Sequence, residues 1–211
     1  MANFTFDPVT HIYRLGDVIL PSVTQIIKGV GLYEVSPFST GPELGKRVHT
    51  AIEQFNRGIT DRDFIEPEVL PYLAAWEQFI AVTEYKSQHH EELMYSPTLR
   101  FAGTMDDFGV GVFDKTQRRI QALLDFKTGV PHPSHNLQLC AYRGLLHECY
   151  GVAPDKLFTL YLRKDGKYRL VECKPEHILN NWNLFKQTIN IYNWKMNNGL
   201  VNQNQEETFY E

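Results

Sequence analysis

From Glu91 onward, the apolar residues of this 211-residue chain stop recurring every three or four positions and begin to alternate or run together. Before that point Leu44, Val48, Ile52 and Phe55 mark one buried helical stripe, and Leu70, Leu73, Trp76 and Ile80 mark another. After it, "EELMYS", "LRFAGTMDDFGVGVF" and "RRIQALLDF" read as three consecutive strands, the last two turning at Asp114-Lys115-Thr116-Gln117. The helical period returns in "PSHNLQLCAYRGLLHECYG", with Ser134 as its N-cap and Gly151 just past its end. "LFTLYLRKDGKYRLVEC" is a hairpin turning at Asp165-Gly166. "PEHILNNWNLFKQTINIYNWKM" is a last helix that buries Ile178, Trp182, Phe185, Ile189 and Tyr192. Strands in such an order must be covered by helices to bury their faces. The expected fold is α/β (α+β), with a mixed central β-sheet flanked by helices.

Upstream, "NFTFDP" and "HIYRLGDVILPSVT" form a small β element turning at Gly16-Asp17, and a short helix follows Ser22 or Thr24 and stops near Gly29. Pro42 and Glu43 suit the first turn of the helix carrying Leu44, and a second helix runs from Pro67 to about Tyr85. With 43% hydrophobic residues, one domain over 1–211 is expected. It divides into a β element and helices (1–90), a sheet core (91–174), a C-terminal helix (175–200) and a loose tail (201–211). There is no internal repeat. No apolar run is long enough to span a bilayer, and "MANFTFDPVT" lacks the basic and apolar regions of a secretion signal. A soluble, cytoplasmic protein of a bacterial or phage-infected cell is expected, with no membrane partner.

The three cysteines, Cys140, Cys149 and Cys173, form no C-x-x-C pair, which argues against a disulfide scaffold and an iron-sulfur cluster and for reduced core residues. A net charge of -4 carries no signature of a general nucleic-acid binder. Carboxylates gathered around divalent cations would lower that total without removing a local basic groove. "TGPELGKRVHT" fails as a phosphate loop, because three residues separate Gly41 from Gly45 and Arg47 stands where Ser or Thr is required. No ATPase motor is encoded, which leaves room for a partner helicase.

Chemistry concentrates near the second and third strands. Asp106 and Asp125 are expected near the ends of two neighbouring strands, an arrangement that suits Mg²⁺. Asp125 and Lys127 differ by two and share a strand face, so Lys127 is placed to orient a water or neutralise charge on a phosphate. Alone, this D-x-K fits an ordinary surface ion pair better. Gln138 and Tyr142 stand one turn apart on the following helix, while Gly45, His49 and Glu53 share one helical face. Singly, His49 reads as a packing histidine, Tyr142 as a core-edge residue and Glu91 as a solvated strand charge. Together, the order of the chain brings them to one end of one sheet.

These residues resemble the RecB-like branch of the PD-(D/E)xK nuclease superfamily, of the phage and mitochondrial genome maintenance exonuclease type. The resemblance rests on "GKRVHTAIE", "EELMYSPTLRFAGTMDD", "LLDFKTG", "NLQLCAYRGLL" and the opening "HIYRLGDVILPSVTQII", and covers most of residues 11–146. It implies a restriction-endonuclease-like core and a divalent-metal-dependent DNA exonuclease of recombination, repair or phage DNA processing, using Mg²⁺ or Mn²⁺. Asp106 and Asp125 would be metal ligands, joined by the Phe126 carbonyl and His49, and Lys127 would be the catalytic lysine. Glu91 would be the acid upstream of the G-x-x-D strand, unless Glu92 faces inward instead. Gln138 and Tyr142 would contact DNA or brace the site. DNA is the implied partner, with a helicase or recombination protein as a further one. The cysteine count departs from the relatives that carry a four-cysteine iron-sulfur cluster. Two rival readings are a catalytically inactive nucleic-acid-binding module on the same fold and a metal-dependent hydrolase of another phosphoester, such as a nucleotide.

Overall fold

A computed structural model describes residues 3–33 and 41–201. β1 (Phe4–Asp7), β2 (Ile12–Leu15) and β3 (Val18–Leu20) form an antiparallel meander. α1 (Val23–Gly29), α2 (Pro42–Asn56) and α3 (Leu70–Thr83) precede β4 (Lys86–Ser96), β5 (Phe101–Val112) and β6 (Arg119–Lys127). α4 (Ser134–Tyr150), β7 (Lys156–Leu162), β8 (Tyr168–Glu172) and α5 (Pro175–Asn197) complete the order. β4 to β8 make one five-stranded sheet in chain order. Its neighbours are antiparallel except β6 and β7, which run parallel because α4 returns the chain between them. The fold is a mixed α/β sheet flanked by helices.

Strand alternation divides the core in two. Leu123 packs beneath α1, α4 and α5, whereas Ala122, Leu124 and Phe126 pack against α2 and α3. The same alternation turns Asp125 and Lys127 toward the α4 face. The second core is built on Trp76 and Phe79, both fully buried, and truncating either ring to alanine would cost about 3–5 kcal/mol. α1 begins on a capping box in which Ser22 Oγ accepts the Gln25 N–H (3.0 Å) and Gln25 Oε1 accepts the Ser22 N–H (2.8 Å). The Ala102 N–H donates to the Pro21 carbonyl (3.0 Å), tying this entry segment to β5.

Several boundaries differ from those expected. β4 starts at Lys86 rather than Glu91, hidden in the polar run "KSQHH". It is an edge strand whose first residues are exposed or half-buried, so no apolar alternation announces it. The second helix is shorter than expected and ends on Glu84 in a left-handed conformation (φ 48°). Ser134 lies within the first turn of α4 rather than capping it, and its Oγ lies 2.7 Å from His132 Nδ1. Cys140 and Cys173 are buried free thiols, but Cys149 is exposed near the end of α4 and is not a core residue. Residues 202–211 of the expected tail lie outside the described residues. Among the described residues, no helix is long and apolar enough to cross a membrane.

Candidate active site

The β5–β6 ladder runs from Val112↔Arg119 to Asp107↔Leu124 and stops there. One step further the same register would face Asp106 with Asp125. Instead, the Phe126 N–H donates to Asp106 Oδ2 (2.5 Å). Asp106 therefore sits in the middle of β5, not near its end as the sequence suggests; what ends beside it is the ladder with β6. On the other side, the pairs His90↔Asp107 and Glu92↔Met105 bracket Glu91 and place it opposite Asp106. Glu91 takes a left-handed conformation, φ 47°. Met105 and Phe108 are three residues apart, yet both join the core beneath α4, so the in-out alternation of β5 slips between them. A slip of this kind re-aims side chains, and Asp106 lies within it.

Three elements converge on this point. Val48 and Ile52 anchor α2 in the core, which presents His49 beside the Phe126 ring, with centroids 5.7 Å apart. His49 Nδ1 lies 3.2 Å from Glu91 Oε1 and 3.6 Å from Asp106 Oδ1. One donor atom from each of His49, Glu91 and Asp106 falls within 4.8 Å of the others. Burial opposes a charge on His49, but the Asp106 carboxylate and the hydrogen bond to Glu91 outweigh it and push the ring up to about 9. Burial raises Asp106, against the pull of His49 and Lys127. Two carboxylates and an imidazole converging in a largely buried place fit a divalent cation, whose charge would replace that of the His49 proton.

Asp125 and Lys127 adjoin this group. Lys127 Nζ donates to Asp125 Oδ1 (2.8 Å) and lies 2.7 Å from Oδ2. Asp125 is completely buried, whereas the Lys127 side chain keeps 21% of its surface exposed. Burial works against the Lys127 charge, but Asp125 and then Asp106 more than offset it and hold the amine above its ordinary range. Asp125, expected as a metal ligand, is engaged with Lys127 and lies outside the His49, Glu91 and Asp106 group. The Phe126 main chain is drawn to the centre through its N–H.

On α4, Gln138 Nε2 donates to the Tyr142 hydroxyl (3.1 Å), and the Tyr142 ring is 5% exposed. Burial first, then Asp106 and Asp125, keep this phenol well above its ordinary range. A Cβ on Gly103 would lie 2.8 Å from Tyr142 Cε1, so the glycine three residues before Asp106 makes room for this ring. Glu92 lies away from the group, 3.4 Å from His89 and hydrogen-bonded by Tyr150. His135 was not among the residues expected from sequence. It lies three residues before Gln138 on the same helical face, and that spacing was the available signal. Its Nδ1 is 2.8 Å from the Tyr161 hydroxyl, and burial followed by Lys127 lowers the ring to about 4.

No protein-family model matches the chain, and no curated protein matches it. Among solved structures, a candidate exonuclease from Eubacterium rectale aligns with a TM-score of 0.47 and 14% identity, over 84% of this chain and 74% of its own. LHK-Exo in complex with dAMP aligns at 0.43 and 11%, over 86% and 89%. The alkaline exonuclease LHK-Exo from Laribacter hongkongensis aligns at 0.38 and 11%, over 84% and 92%. At these values none of their activities transfers to this chain.

Proposed function

We propose that this protein is a divalent-metal-dependent DNA exonuclease that hydrolyses phosphodiester bonds with Mg²⁺ or Mn²⁺. The observation that carries this reading is the convergence of His49, Glu91 and Asp106 within 4.8 Å, beside the Asp125–Lys127 pair. His49, Glu91 and Asp106 would hold the metal, with the Phe126 carbonyl and Asp125 alongside. The metal supplies Lewis acidity and charge neutralisation at the phosphate. Asp125 fixes the Lys127 ammonium, which orients the attacking water and donates to the phosphate oxygens. As the water oxygen bonds to phosphorus and gives up its proton to solvent, the bond to the leaving sugar oxygen breaks and that oxygen takes a proton from solvent. Gln138 and Tyr142 position the strand. The reaction would serve recombination, repair or phage DNA processing, with a helicase or recombination protein as partner.

End-labelled linear DNA and circular single- and double-stranded DNA, incubated with Mg²⁺ or Mn²⁺, test the proposal. The expected result is a ladder from one labelled end and intact circles, with no cleavage in EDTA and cleavage slowed by about 10²- to 10³-fold with Lys127→Ala. Tight DNA binding without cleavage in either metal would replace this reading with the inactive binding module. Phosphate release from mononucleotides with DNA untouched would point to the other hydrolase.

A further inference from the structure

A second buried carboxylate lies next to Asp106, and the proposed chemistry does not use it. Asp107 is completely buried and accepts from four side chains. The Tyr85 hydroxyl donates to Oδ1 (2.7 Å). Ser87 Oγ (2.8 Å), His90 Nδ1 (2.8 Å) and Asn56 Nδ2 (3.4 Å) converge on Oδ2. Asn56 is held in turn by Trp76, whose indole Nε1–H donates to Asn56 Oδ1 (3.0 Å). Removing a carboxylate from water costs several kcal/mol unless it is paired, so its place in this core calls for a role that packing alone would not supply.

The positions of these residues suggest that role. His90 precedes Glu91, Asp107 follows Asp106, and the two form a cross-strand pair. Asn56 lies seven residues after His49 on α2, two turns along the same face. Each element that carries one of His49, Glu91 and Asp106 therefore also contributes a residue to the Asp107 cluster. The cluster also abuts the slip in β5 that aims Asp106.

We infer that Asp107 is a positioning residue for the metal centre, clamping α2, β4 and β5 at the spacing that brings His49, Glu91 and Asp106 together. The inference rests on the metal site proposed above. Both Asp107 oxygens are paired, although His90 Nε2 has no hydrogen-bond partner among the described residues; partners that orient metal ligands typically matter about 10- to 100-fold in metal affinity, as an order of magnitude.

The test is calorimetric titration of the full chain with Mn²⁺, alongside melting temperatures without metal, for wild type, Asp107→Asn, Asn56→Ala and Phe185→Leu. Phe185 is fully buried in the other core, against Phe101 and Trp182 and apart from Tyr85 and Trp76, so its variant reports simple loss of packing. The expected result is a dissociation constant raised about 10- to 100-fold by Asp107→Asn and several-fold by Asn56→Ala. Phe185→Leu should lower the melting temperature and leave the constant within about twofold of wild type. If Asp107→Asn fails to fold, Asn56→Ala decides. A dissociation constant unchanged in the deciding variant, with only stability reduced, would overturn the inference. If wild type itself takes up no Mn²⁺, the proposed function fails first and the inference falls with it.

Discussion

Lys127 and Asp125 look alike in sequence to any exposed ion pair; the difference lies in what surrounds them. Asp125 is fully buried and its partner is partly exposed, so the pair holds the ammonium in a fixed place beside the His49, Glu91 and Asp106 group. Lys127→Ala should lower kcat by about 10²- to 10³-fold, the scale for removing one positioned donor, and leave Mn²⁺ affinity nearly unchanged. Single-turnover cleavage and metal titration of the same variant check both halves. Asp125→Asn should also abolish turnover while the circular dichroism spectrum stays that of wild type, and full activity would refute its assignment. His135 offers a test through pH. Its ring is lowered to about 4, below the ordinary 6.5, so between those values the unfolded chain binds a proton that the folded ring refuses. Its contribution is intact above 6.5 and lost as pH falls toward 4, on the order of 3 kcal/mol across the window. The unfolding free energy of wild type minus that of His135→Gln should fall by this amount from about pH 7 to pH 4, and a flat difference would show that the ring charges freely.

At the scale of elements, the strands and helices with strong periodicity were legible, including β6, α4 and α5. β4 was only half legible, because an edge strand satisfies its exposed side with water and needs no apolar alternation there. The slip in β5 left no local mark either. Asp106 and Asp107 are two adjacent aspartates, and only the packed sheet sends one toward His49 and the other toward Tyr85. The G-x-x-D spacing was visible, but its cause was not: Gly103 is small because Tyr142 arrives from α4, far along the chain. Gly103→Ala would force a Cβ to 2.8 Å from that ring and 3.2 Å from Val23 Cγ2. We expect a loss of about 1–3 kcal/mol in unfolding free energy, the usual cost of overpacking. Adding Tyr142→Leu should recover part of that stability, because it removes the atom that the new methyl meets. Chemical denaturation of the single and double variants distinguishes this from a general weakness of β5, which the second change would not relieve.

Across the whole molecule, the candidate ligands come from α2, β4 and β5, elements that the chain order separates and only the folded sheet assembles. The sequence could therefore suggest a metal centre by residue type, whereas its geometry required the complete fold. In the unfolded chain the three donors are scattered, so a cation that binds them together binds the native state almost alone. Linkage then sets the size of the effect: at Mn²⁺ about 100-fold above its dissociation constant, stability should rise by about 2.7 kcal/mol. For a domain of this size each kcal/mol moves the melting temperature by about 2–4 °C, so a rise of roughly 5–11 °C is expected, reversed by EDTA. Asp106→Asn should remove most of that rise, because it replaces an anionic ligand oxygen of the group by a neutral amide. Thermal melts of both proteins, with and without Mn²⁺, provide the comparison. An equal rise in wild type and variant would place the bound ion elsewhere on the molecule and remove the metal from the centre of this site.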